Sequence, residues 1–77
     1  MNVSLDKEVA EELITFKLRR IQELIRSILN HWNESTPESF INKARDGTYP
    51  EAENDAIELR QLLLEEEKLR NLLENLP

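Results

Sequence analysis

Ile14, Leu18, Ile21, Ile25, Ile28 and Trp32 recur at alternating spacings of four and three residues. That is the seam of a heptad repeat, and it predicts an amphipathic helix. No Gly or Pro interrupts the surrounding stretch, so the helix is expected from about Leu5 to Trp32, with Ser4 or Asp6 as N-cap. At the usual rise it would be roughly 42 Å long. Leu24 and Leu29 widen the seam. A second row, Leu5, Val9, Leu13 and Phe16, falls on roughly the opposite side from Ala10, Ile14 and Leu18 when the residues are turned by ~100° each. The first half of this helix is therefore apolar on two faces.

Asn33-Glu34-Ser35-Thr36-Pro37-Glu38 reads as a stop and a restart. Ser35 or Thr36 can cap a new helix, Pro37 suits its first turn, and Ser35-x-x-Glu38 fits a capping box. A short helix over about 37–46 follows, with Phe40, Ile41 and Ala44 on one side. It ends at Asp46-Gly47, where glycine supplies a left-handed residue after the helix. Thr48-Tyr49-Pro50 begins the last helix, expected from about Pro50 to Asn75, with Glu51, Glu53 and Asp55 near its positive end. Ala52, Ala56, Leu59 and Leu63 make an early stripe, and Leu59, Leu62, Leu69, Leu73 and Leu76 continue it, with Glu66 at one core position. Ile57, Leu64 and Leu72 lie well off the stripe.

Placed antiparallel around the 33–49 connector, the two long helices bring residues whose numbers add to roughly 82 side by side. Lys17, Arg19 and Arg20 then approach Glu65, Glu66 and Glu67, and Glu66 is expected to pair with Arg19 or Arg20. The seam predicts Leu18, Ile21, Ile25 and Ile28 nearly fully buried against the last helix. A two-helix hairpin cannot cover two faces of each of its helices. The pattern thus predicts an all-α fold over residues 1–77, in which two long antiparallel amphipathic helices, joined by a connector with a short helix, assemble as a dimeric four-helix bundle. Leu5, Val9, Leu13, Phe16, Ile57, Leu64 and Leu72 are the expected interface.

Composition supports that expectation by removing alternatives. The chain has 77 residues, no Cys and one His. Small domains bury a low fraction of their surface and usually need disulfides, a metal or oligomerisation. Disulfides, thiolate metal sites and cysteine nucleophiles are excluded, and His31 alone cannot make a histidine-rich site, so no metal or cofactor is expected. The net charge of −6 is uneven. Residues 1–32 balance, whereas residues 50–77 hold three basic and eight acidic groups. A negative field disfavours nucleic acid and anionic lipid as partners. No stretch approaches the ~20 apolar residues of a membrane span, and the first residues lack the basic-then-apolar order of a signal peptide. A cytoplasmic location is expected.

Candidate chemistry is sparse. Glu11-Glu12 and Glu65-Glu66-Glu67 lack the Glu-x-x-His pairing of carboxylate-bridged metals in bundles and read as solvated faces. His31-Trp32 has no nucleophile or orienting group beside it, and histidine suits a helix C-terminus. Trp32, Phe40 and Tyr49 are expected to cluster under the connector. Lys17, Arg19, Arg20 and Arg26 are spread around the helix, unlike a nucleic-acid stripe. With Gly47 as the one glycine there is no phosphate loop.

Val3-Ser4-Leu5-Asp6-Lys7-Glu8-Val9-Ala10-Glu11-Glu12-Leu13 resembles the strand and first helix of ribbon-helix-helix regulators, many of which are antitoxins. That family has a turn between its two helices, whereas Phe16-Lys17-Leu18-Arg19-Arg20-Ile21-Gln22 contains no breaker. The residue pattern favours a non-enzymatic helical interaction or assembly module that acts as a homo-oligomer and presents a surface to other proteins. The resemblance implies the alternative, a small antitoxin-like or DNA-binding regulator whose acidic last helix binds a basic partner.

Overall fold

Why the first seam becomes one helix follows from its content: 25 residues without a breaker, beginning after Asp6. A computed structural model describes residues 6–76; α1 spans Lys7–His31, α2 Pro37–Arg45 and α3 Glu53–Glu74. The described residues form an all-helical structure in which all three helices pack against one another. Leu5, Ser4 and the strand expected over the first residues of the regulator resemblance lie outside the described residues. Within them, α1 continues unbroken through Phe16–Gln22.

The end of α1 is set by Asn33, which takes φ 55°. Its N–H donates to the Asn30 carbonyl and that of Glu34 to the Leu29 carbonyl, at 3.2 and 2.9 Å. This double closure satisfies carbonyls that the helix leaves open, and asparagine tolerates the left-handed conformation it needs. The next helix starts on Thr36, whose Oγ1 accepts the Ser39 N–H at 3.2 Å, with Pro37 in its first turn. The expected Ser35–Glu38 box does not form, because Thr36 already occupies the capping position. Gly47, at φ 88°, follows the end of α2. Asp46 folds the chain there by accepting from the Thr48 N–H and hydroxyl.

The last helix begins at Glu53, later than the Pro50 expected, because Tyr49 to Ala52 is used as a turn closed by the Ala52 N–H on the Tyr49 carbonyl at 3.1 Å. That turn lets α3 run back along α1. Lys17 meets Glu65 at 3.3 Å, and Trp32 meets Asp55 at 2.8 Å, so rising numbers on α1 face falling numbers on α3.

The core holds Ile21, Ile25 and Leu29 from α1, Phe40 from α2, and Ala52, Ala56, Leu59, Leu62 and Leu69 from the turn and α3. Phe40 and Leu59 are fully covered. Leu18 and Ile28 pack against this core but are only half-buried, less than the seam predicts, because one neighbouring helix covers one side of α1. The described residues extend over 55 × 19 × 17 Å, with a radius of gyration of 15.9 Å. A compact chain of this length would have about 11 Å. The structure is a rod whose third layer, α2, exists only at the connector end.

Candidate functional site

Where the rod is two helices thick, apolar side chains turned away from the contact between α1 and α3 face outward. Val9, Leu13, Phe16, Ile57, Leu64 and Leu72 are the large hydrophobic residues left exposed among those described. These are the interface residues expected from the pattern, apart from Leu5, which lies outside the described residues. Phe16 is 75 % exposed, Leu64 68 % and Leu13 57 %. An isolated exposed leucine is ordinary, but rows of large apolar side chains on a small protein mark contact surfaces.

They do not form one patch. Val9, Leu13 and Phe16 follow one another along α1 at helical spacing. Phe16 borders a hollow formed by Glu8, Glu11, Glu12, Thr15 and Arg19. Leu64 and Leu72 of α3 share a different hollow with Lys17, Glu65, Lys68 and Leu69, so they stand beside the bridge that ties α3 to α1. Ile57 is set apart at the connector end, in a shallow groove with Ile41, Ala44 and Pro50 that Arg45 and Arg60 also border.

The charge expectations are met in part. Lys17 and Glu65 lie at the predicted level and pair. Arg20 instead pairs within its own helix with Glu23 at 3.7 Å, and Glu66 pairs with Arg70 at 3.5 Å. Glu66 therefore does not set register with Arg19 or Arg20; its i,i+4 partner is reached more cheaply along the same helix than across the groove.

The best-formed polar arrangement lies in the connector and was not singled out by spacing. The Glu34 side chain, 5 % exposed, accepts from Lys43 Nζ at 2.8 Å, Tyr49 Oη at 2.6 Å and Ser39 Oγ at 2.9 Å. These donors, Lys43 first, hold its carboxyl well below the usual range, at about 2. The same contact raises the Lys43 ammonium and the Tyr49 hydroxyl above their ordinary values. Beside it, Trp32 packs 5.7 Å from Phe40 and 5.1 Å from Tyr49, the aromatic cluster expected from the sequence. Trp32 Nε1 donates to Asp55 at 2.8 Å, and His31 meets the Trp32 ring edge-on.

Lys43 and Tyr49 both donate to Oε1 of Glu34, and Ser39 donates to Oε2. This is a lock that fastens α2 and the Tyr49 turn to the end of α1. Among the described residues no group of three or more His, Asp or Glu side chains is placed to hold a metal ion, and no helix is long and apolar enough to cross a membrane. Comparison with known proteins finds no matching family model, no matching curated protein and no matching solved structure.

Proposed function

We propose that this chain is a helical protein–protein interaction or assembly module, not an enzyme, and that it acts as a cytoplasmic homo-oligomer whose smallest form is a dimer with a four-helix core. The observation that carries the reading is the exposure of Val9, Leu13, Phe16, Leu64 and Leu72 on the half of the rod that α2 does not reach. Full burial of such a side chain stabilises by ~1.5–3 kcal/mol, and a marginal 77-residue chain gains most by finding that burial in another molecule.

The test is solution mass by light scattering across a wide concentration range, on the parent and on the Val9→Glu, Leu13→Glu double variant. The parent should have at least twice the chain mass. The double variant should be smaller and melt lower, because unpaired charge is not tolerated in an apolar contact. A parent that stays at the mass of one chain at every concentration would remove the reading.

A further inference from the structure

We infer that the Val9, Leu13 and Phe16 face of α1 is covered by the same face of a second copy, packed antiparallel about a two-fold axis near Leu13. The inference rests on the self-association reading and replaces its four-helix core by a contact between the two α1 helices, with each α3 on the outer side of its own α1. Three observations lead to it.

First, nothing in the described chain covers this row: no residue from Asp6 to Arg20 is fully buried, and α2 lies against the opposite end of α1. Second, charge along this stretch is segregated about the row. Asp6, Glu8, Glu11 and Glu12 precede its centre against one Lys7, whereas Lys17, Arg19, Arg20 and Arg26 follow it against one Glu23. Third, Glu8 and Arg19 line the same hollow beside Phe16, so both reach the same flank of the apolar row. Neither makes an ion pair among the described residues, and both are exposed.

An isologous contact presents each patch to itself, so the patch must be its own complement. If two α1 helices ran parallel, Glu8 would meet Glu8 of the other copy and Arg19 would meet Arg19. Run antiparallel about Leu13, residues whose numbers add to about 26 share a level at the helical rise. Phe16 then packs beside the second copy's Val9, and Leu13 against its equivalent. Arg19 comes level with Glu8 of the second copy on one flank, and Arg20 with Asp6. Opposite charges meet at both ends of the contact, and the like-charge cost that would attend the parallel arrangement is avoided. The connector ends project away from each other, where α2 does not obstruct the contact.

The absence of cysteine makes disulfide trapping on the full chain clean. Under mild oxidation Leu13→Cys should link to itself. Val9→Cys and Phe16→Cys should each remain unlinked alone and link when mixed, since equal positions eight or more Å apart cannot be bridged, roughly 7 Å between Cα atoms being the limit. Arg19→Glu and Glu8→Arg should each weaken the dimer by about tenfold, and the double variant should recover to within about threefold of the parent. Circular dichroism checks that these surface variants keep their helices.

A dimer in which Val9→Cys links to itself, or in which only Leu64→Cys links, overturns the antiparallel α1 contact while leaving self-association standing. A double charge variant weaker than either single one overturns that contact too. A parent that is monomeric at every concentration removes both.

Discussion

At the connector end, three layers close over Phe40 and Leu59, and the half-buried Glu34 is met by three donors; at the open end, residues 6–20 and 63–76 contribute Leu69 alone to the buried core. Both ends are built from equally apolar helices. What differs is the number of neighbours. The short α2 supplies the third neighbour where the chain turns, and its Phe40 fills the space between the long helices. Among the described residues no corresponding element covers the other end, and Leu13 and Phe16 keep most of their surface in water. The contrast separates residues that stabilise the chain by itself from residues whose burial depends on a second molecule.

Two phenylalanines make the sharpest comparison. Phe40→Ala should cost ~3–5 kcal/mol and leave a domain of this size largely unfolded. Phe16→Ala, at an exposed position, should change the stability of dilute protein by no more than ~0.5 kcal/mol, yet lower the melting temperature of concentrated protein. Urea melts at low and high concentration measure both. Equal losses from the two substitutions in dilute protein would break the division between the ends.

Acid should act first on the connector. The Glu34 carboxyl is lowered from 4.5 to about 2, so its contribution to stability is fully present above pH 4.5 and is lost as pH falls toward 2. Lys43 and Tyr49 are raised, so their contribution is present below about pH 10 and is lost as pH rises through their folded values. Glu34→Gln should lower the melting temperature at neutral pH and flatten its decline between pH 4.5 and 2. A variant whose acid limb matches the parent would show that the carboxylate holds nothing in place.

How much of this was legible in the sequence depends on whether a feature is periodic. Ile21, Ile25, Leu59 and Leu69 are buried where the heptad seam puts them, and the outward rows follow from residues that the seam cannot accommodate. The antiparallel level of Lys17 and Glu65 follows from connector length. The Glu34 lock does not, since Ser39, Lys43 and Tyr49 are brought to it by the angle at which α2 leaves α1 and by the turn before α3. A carboxylate in a loop has no spacing signature. Asn33 did offer one signal: an asparagine just past a helix end is a candidate for the left-handed closing residue, which the structure places there.

Trp32→Phe sharpens the comparison within the connector. It keeps an aromatic ring beside Phe40 and Tyr49 but removes the Nε1 donor to Asp55. With Asp55 only half-buried, the expected loss is ~1 kcal/mol. In the parent, this single tryptophan reports on the connector end alone. Its fluorescence should therefore survive to higher urea than the helical signal of dilute protein, whose open end frays first. Coincident transitions would mean that the two ends unfold as one.

The smallest expected effect is that of the pair which ties the open end together. Lys17 and Glu65 are 3.3 Å apart, but their side chains remain 60 % and 44 % exposed, so water and salt screen them. Lys17→Glu or Glu65→Lys should cost ~0.2–1 kcal/mol, and the double reversal should restore most of it. The loss should shrink as salt is raised. The pair also borders the hollow of Leu64 and Leu72, so its contribution to folding is separable from any contribution to assembly only in dilute protein. If the single reversals in dilute protein cost several kcal/mol, the open end would be fastened as firmly as the connector. Its exposed rows would then belong to a rigid surface with the salt-independent stability of a core, and the distinction between the two ends would rest on burial alone.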